Sequence, residues 1–462
     1  MAKILIMTSG LTGILNASLE VVRRLEEAQH DVTYACPHDV RETVERHGVE
    51  YVQLPPISRS PSPERTRRDG ESRVAHKWAE WRTRRERRDQ GVEALRTGAV
   101  ETLLAELRPD LVLLDFDLEE HVITCHAARV RIAILSQWFE FRRRPGLPPL
   151  GSNLERGSAA QRWLAWTGSR ARSRARQSAT YLRYFGTDRR GVVREHARRS
   201  GFPAAGLWSH DWSTLFAFEG IPVLSMTMEE LDFPHRRGSR WSYVGPMVRL
   251  ERDDGARADE PRRRIAEFTA NARRGGQRVV YASVSSMGTA RDADFVTALA
   301  HSAARRAAKG GESSWSLILG LGGHASVQIE SALDATLDQR AREQVLVLAF
   351  APQLDALREA DLFITHGGIH SIHESIALGV PMAAYSGAAF DQDGCVARLA
   401  FHDAASVGSR TDSAEAIAQR LDSALDDEHL RARTTELQRA LARYQPSLAD
   451  SIDELLAEPV AS

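Results

Sequence analysis

The chain has 462 residues, 42% apolar and 27% charged, with a formal net charge of -1. That length exceeds one ordinary core and implies two domains of roughly 200 residues each. The neutral charge balance gives no basis for a nucleic-acid binder, and no run approaches the roughly 20 apolar residues that span a bilayer.

From the N-terminus, MAKILIMTSGLTG matches a secretory leader for only a few residues before Thr, Ser and Gly break it, so it reads as a first buried strand. Residues 15–27 carry Leu15, Leu19, Val22 and Leu25 at helical spacing. Residues 31–35 predict the next strand, 40–47 a helix stopped by Gly48, and 111–114 and 131–135 two further strands. Strand and helix alternating at this pitch imply right-handed crossovers and a parallel sheet. Two Arg-rich stretches, 57–88 and 142–190, interrupt the pattern; the second opens on Pro145-Gly146-Leu147-Pro148-Pro149 and is expected to be helical. Residues 232–254 read as a linker. A second alternating unit follows, with strands over 278–283, 316–321, 345–349, 361–365 and 381–385. The expectation is an α/β chain of two Rossmann-like, doubly wound domains facing a central cleft, where open sheets bind ligands. The boundaries are 1–231, a linker 232–255, a second domain 256–440, and a terminal helix 441–462 packing back on the first domain. Cys36, Cys125 and Cys395 stand far apart without C-x-x-C spacing, which argues against disulfides or structural zinc and suits a reducing cytosol.

The most informative stretch joins Phe350-Ala351-Pro352-Gln353, His366-Gly367-Gly368-Ile369-His370-Ser371-Ile372-His373-Glu374, Gly379-Val380-Pro381 and Asp391-Gln392. A strand that ends in His-Gly-Gly and runs into a helix aims free N–H groups and a positive helix end at the cleft, a site suited to a diphosphate. The glycines permit close backbone approach, and His366 and Ser371 donate to phosphate oxygens without a metal. Glu374, one turn past Ser371, can accept both ribose hydroxyls. Asp391 and Gln392 suit sugar hydroxyls.

These residues resemble the signature of the family-one nucleotide-sugar glycosyltransferases with the GT-B fold, which include the macrolide glycosyltransferases. The run Phe390–Leu399, Leu231-Asp232-Phe233-Pro234 and Tyr243-Val244-Gly245-Pro246 are most similar to the bacterial zeaxanthin-type branch. The resemblance implies that Phe350 stacks on the base beside Gln353. It also implies that His366, Gly367, Gly368 and Ser371 hold the diphosphate, Glu374 the ribose, and Asp391 and Gln392 the sugar. Ser283-Val284-Ser285-Ser286 falls where the family carries a phosphate-contacting Ser-Phe-Gly-Ser, which implies a contact from Ser283 or Ser286.

The catalytic base is where the chain departs from the pattern. Inverting transfer needs the acceptor hydroxyl deprotonated as it attacks, and the family's Gly-His-x-x-Pro supplies a histidine after the first strand. This chain has Gly13-Ile14-Leu15-Asn16-Ala17, so Ile14 takes the histidine's place. Asp115, His121 and His210 are the candidate replacements. Two further possibilities are an acceptor that needs no strong base, and a chain that binds nucleotide sugar without turnover. Ile14, Asn16 and Trp138 are the candidate acceptor contacts. Arginines 59–88, with Trp78 and Trp81, read first as a solvated face; the alternative is a lid over an anionic acceptor or a peripheral membrane contact.

The expected function is inverting transfer of a hexose from a UDP- or dTDP-sugar to a small lipophilic natural product, with no metal or other cofactor. The partners are then nucleotide sugar and acceptor, with no nucleic acid, in a cytoplasmic monomer or homodimer. Asp115-Phe116-Asp117 spells a metal-type Asp-x-Asp but lies in the acceptor half, so no metal is expected. The same-fold alternative is a nucleotide-sugar epimerase, and the alternative of another class is a non-catalytic homologue acting as a binding or partner protein.

Overall fold

The fold is that of a computed structural model, which describes every residue except 11, 56–71, 156, 184–188, 204–206, 210–215, 219, 253, 284–289, 310–313, 323–325, 389–390 and 459–462. Its strands in chain order are β1 (Lys3–Met7), β2 (Asp31–Cys36), β3 (Glu50–Gln53), β4 (Leu111–Asp115) and β5 (Ile132–Ser136). They continue with β6 (Leu207–Ser209), β7 (Phe216–Phe218), β8 (Val223–Ser225), β9 (Trp241–Tyr243) and β10 (Arg278–Ser283). The last five are β11 (Trp315–Gly320), β12 (Val345–Leu348), β13 (Leu362–Thr365), β14 (Met382–Ala384) and β15 (Ser406–Val407).

The first sheet has the order β3-β2-β1-β4-β5-β8-β9 and the second β12-β11-β10-β13-β14-β15, parallel throughout. By position both begin 3-2-1-4-5-6, the doubly wound order, with the reversal at β1/β4 and at β10/β13. The strands are continuous apolar runs because helices cover both faces, so β4, β5 and β13 are buried along their whole length. β6 and β7 form a separate antiparallel hairpin.

The segment read as linker begins later than its sequence suggested. β9 lies inside it and forms the edge of the first sheet, paired with β8 from Val223↔Trp241 to Ser225↔Tyr243. Trp241 and Tyr243 point inward and Ser242 outward, which is why so short a strand is held. The Arg-rich stretches are helices, Arg73–Thr97 and Ala159–Arg183; arginines 59, 65, 67 and 68 lie outside the described residues.

Two devices join the halves. The terminal helix Ser447–Ala457 buries Leu448, Ile452 and Leu455 in the cluster built by Ile4, Ile6, Leu19 and Val22 of the first domain. Between the sheets, Arg398 pairs with Asp232 at 2.7 Å, both side chains 1% exposed. The Arg398 guanidinium is sandwiched between Phe139 and Phe233, 4.6 Å from each ring centroid. Tyr243 donates to the other Asp232 oxygen at 2.5 Å, so the buried charges are paired and bonded. Among the described residues no helix is long and apolar enough to cross a membrane. All three cysteines are buried and free.

Candidate functional site

The loop after β13 follows directly from its residues. Gly367 has φ +93°, a left-handed conformation, and a Cβ there would lie 2.8 Å from the Gln392 carbonyl oxygen. Only glycine fits that turn at low cost. Its N–H is held by Thr365 Oγ1 at 3.1 Å. The helix Ile369–Ala377 then starts at Gly368 with no side-chain cap, so the N–H groups of its first turn remain for an incoming acceptor of hydrogen bonds. His366 is oriented by a bond between its Nδ1 and the Ser283 carbonyl at 3.1 Å, tying the end of β13 to the end of β10. The carbonyl of His366 accepts from Gly387 N at 3.0 Å. This loop lies at the reversal of strand order, where doubly wound sheets bind their ligands.

Behind it, one polar chain connects the remaining donor candidates. Gln353 Nε2 donates to Ser371 Oγ at 3.0 Å and to Glu374 Oε2. Arg252, from the segment between the domains, donates to Glu374 Oε1 and lies 3.5 Å from Asp254. Phe350 has the Arg257 guanidinium 4.3 Å from its ring centroid. Across the loop, Asp391 accepts from Cys395 Sγ at 3.4 Å, and burial pushes its carboxyl up to about 6. Gln392, the next residue, is buried against Gly387. The structure thus brings Ser283, Gln353, His366, Ser371, Glu374, Asp391 and Gln392 around one loop. Ser286 falls outside the described residues.

The acceptor-side candidates are placed differently. Ile14 is 1% exposed and packed in the core with Ile4, Ile6 and Leu19, so in this structure it offers no surface to an acceptor. Asn16, two residues on, is half-buried. Trp138 belongs to a buried aromatic cluster, 5.8 Å from Phe116 and 6.3 Å from Phe141 by ring centroids. Asp115 ends β4 and accepts from Ser9 N at 3.0 Å and from Ser9 Oγ. Burial and the neighbouring Asp117 raise its pKa above the usual carboxylate range. His121 is 3% exposed and, among the described residues, neither ring nitrogen has a partner. Burial drives its pKa down to about 4, and among the described residues the ring is enclosed. His210 lies outside the described residues.

Sequence reasoning missed two site residues. Arg252 stands in a charged run that reads as linker. His370 lies inside the central motif, where sequence alone gives it no role, yet it reaches the other domain: its Nε2 lies 2.9 Å from Gln137 Oε1, just past the end of β5. The signal available for His370 is its place in the first helical turn, immediately before Ser371.

Comparison with known proteins bears on the second domain and on the fold. Residues 255–446 match the family described as UDP-glucoronosyl and UDP-glucosyl transferase. The chain is 32% identical over 134 residues to the zeaxanthin glucosyltransferase of Pantoea ananas, a match that covers 28% of this chain and 31% of that protein. The chain therefore spans about a third of that relative's length. Over nearly its whole length the fold resembles two solved structures. The glycotransferase of kitacinnamycin has a TM-score of 0.63 at 20% identity, covering 98% of this chain and 99% of that one. CalG4, the calicheamicin glycosyltransferase, has a TM-score of 0.59 at 17% identity, covering all of both chains. The architecture is that of the GT-B glycosyltransferases, two Rossmann-like domains facing each other. The likeness to the UDP-glucoronosyl and UDP-glucosyl transferase family is carried by residues 255–446, the second of the two domains.

Proposed function

We propose that this protein transfers a hexose from a UDP- or dTDP-sugar to a small, lipophilic natural-product acceptor, with inversion and without a metal. The observation that carries the reading is the β13 loop. An uncapped helix start, His366, Ser371 and the Gln353–Glu374 pair converge there at the switch point of the sheet. In this reading the first-turn N–H groups, His366 and Ser371 hold the diphosphate and stabilise the charge that grows on it as the glycosidic bond breaks. Glu374 accepts from the ribose, which requires Arg252 to share or release that carboxylate. Phe350 stacks on the base, and Asp391 and Gln392 bind sugar hydroxyls. The names of the zeaxanthin and calicheamicin proteins favour a natural-product acceptor.

A second reading, a nucleotide-sugar binding protein without turnover, is favoured by Ile14, which is buried and cannot take a proton. Calorimetric titration with UDP and dTDP, beside a His366→Ala, Glu374→Ala variant, tests the shared premise. Binding that the variant loses supports the donor site, and absence of binding to both nucleotides refutes it. Turnover that survives excess chelator supports the metal-free reading, and strict dependence on manganese refutes it.

A further inference from the structure

Ile14 cannot accept a proton, His121 is sealed away and Asp115 is engaged by Ser9, which leaves room for a group that activates the acceptor from elsewhere in the cleft. Such a group must be basic, must sit where the two halves meet, and must carry a nitrogen or oxygen lone pair not already engaged. His370 meets all three conditions.

It stands in the first turn of the helix Ile369–Ala377, beside the Gly367-Gly368 turn and directly before Ser371. Its ring crosses to the acceptor half. A Cβ on Gly13, the residue before Ile14, would lie 2.9 Å from His370 Cδ2, so the ring occupies space that any side chain at position 13 would fill. Glycine at 13 leaves room for a histidine delivered by the other domain.

The hydrogen bond to Gln137 then fixes the tautomer. The amide oxygen Oε1 can only accept, so His370 Nε2 carries the hydrogen and Nδ1 holds the lone pair. Nδ1 has no partner among the described residues, and it is absent from the sealed polar atoms that include both nitrogens of His121. The Cδ2–Nε2 edge lies against Gly13 and Gln137, so the Nδ1 edge faces away from that wall.

We propose that His370 is the general base of glycosyl transfer, a base that has moved from the acceptor domain to the donor domain; the proposal rests on the glycosyl-transfer reading above. The Nδ1 lone pair takes the proton of the acceptor hydroxyl as its oxygen forms the bond to the anomeric carbon. The bond from that carbon to the diphosphate oxygen breaks on the opposite face. Its electron pair leaves on the diphosphate, held by the adjoining helix start, and the imidazolium later returns the proton to solvent. Gln137 is a positioning residue that keeps the lone pair on Nδ1.

The charge environment is consistent with this role. Burial, and then the Arg252 charge, hold His370 down at about 4, so the ring is neutral and ready to accept at neutral pH. His373, one turn further along the same helix, is held at about 3 by burial and His370. From the acceptor half the ring meets Gly13 and Gln137, neither of which titrates. A bound diphosphate adds negative charge beside the ring and raises its pKa toward the working range.

The test uses water as acceptor, so no native acceptor has to be known. UDP and dTDP binding is measured by calorimetry, and release of glucose from UDP-glucose and dTDP-glucose is followed from pH 4 to 9, for wild type, His370→Gln and Gln137→Leu. The expected result is nucleotide affinity within about threefold of wild type in both variants. Hydrolysis should fall by roughly 10²–10⁴-fold in His370→Gln, the range for loss of a general base, with the acid limb of the pH profile gone. Gln137→Leu should lose about tenfold and keep the limb. Nucleotide binding with hydrolysis and pH profile unchanged in His370→Gln overturns the proposal. So does a wild type that binds nucleotide but releases no sugar, since a seated base would activate water. Absence of nucleotide binding in the wild type overturns the glycosyl-transfer reading itself and is distinguished by the calorimetry alone.

Discussion

β4 and β13 occupy the same place in their two sheets, fourth in sequence and beside the first strand, yet their carboxyl ends are built for opposite purposes. The end of β13 is open: glycines, an uncapped helix start, and side chains whose partners come from the linker and from the other domain. The end of β4 is closed on itself. Asp115 is bonded to Ser9, and Glu120 is clamped by Arg189 at 2.6 and 2.7 Å. Arg189 also donates to the Asp117 carbonyl at 2.7 Å and lies 3.3 Å from Glu119. One fold position therefore draws its side-chain partners from the linker and the other domain at the β13 end, and from its own neighbourhood in the first domain at the β4 end. Charge density alone does not separate the two.

The largest expected effect breaks the closed end. Removing one partner of a buried, hydrogen-bonded ion pair leaves the other uncompensated, at a cost of about 3–5 kcal/mol. Arg189→Met should therefore lower the urea midpoint strongly while leaving nucleotide affinity, measured on the fraction still folded, near wild type. If affinity falls instead with stability intact, the β4 end is part of the ligand site and the contrast fails. At the open end the expectation reverses. Glu374→Ala removes an acceptor for charged and hydroxyl donors, worth about 1.5–3 kcal/mol. Nucleotide binding should weaken by roughly 10–100-fold with a smaller change in unfolding.

His121 sharpens the same contrast through pH. Its folded pKa, about 4, lies below the ordinary value near 6.5, so the native state resists protonation. Its neutral form is accommodated at pH 7, and stability is lost as pH falls from about 6.5 toward 4. His121→Leu removes both unpartnered nitrogens, each costing about 1–3 kcal/mol when buried. The variant should be more stable than wild type at pH 5, with a smaller gain at pH 7.5 and unchanged nucleotide binding. Asp115 acts in the opposite sense. A raised folded pKa means its ionised form is penalised above that pKa, and protonation relieves the penalty as pH falls. Asp115→Asn should therefore gain stability relative to wild type at pH 8, and the gain should shrink as pH falls from about 6 toward 4. Equal shifts at both ends of that range would show that its burial is not what perturbs it.

Much of this was legible in the sequence, and the reason is local. Strands such as β4 and β13 are short apolar runs bounded by turn residues, and the His366-Gly367-Gly368 loop needs glycine at a left-handed position, which residue identity alone announces. What escaped depends on contacts between distant residues. β9 has three residues, and only its pairing with β8 makes it a strand. Arg252 and Glu374 are 122 positions apart, and His370 and Gln137 are 233 apart. No periodicity encodes such pairs. The acid-rich end of β4 reads differently in sequence and in structure for a related reason. Asp115 and His121 have the residue types that catalysis uses, and only burial and partner geometry reveal that both are enclosed.

The smallest expected effect concerns the nucleobase platform at the open end. Phe350 is half-buried, and the Arg257 guanidinium already lies over its ring at 4.3 Å. A cation over an aromatic face at a partly exposed site contributes about 0.5–1 kcal/mol. That is enough to compete with a stacking base for the same face, or to brace the ring so that the base uses the other. The two arrangements differ in sign. If Arg257 covers the face the base needs, Arg257→Ala frees it, and UDP or dTDP binds up to about fivefold tighter. If it braces the ring from behind, the same substitution loosens Phe350 and weakens binding by a similar factor. Phe350→Leu loses stacking under either arrangement, so a Phe350→Leu, Arg257→Ala double variant closes the cycle. A coupling between the two substitutions places Arg257 in the base site, and strict additivity puts it outside.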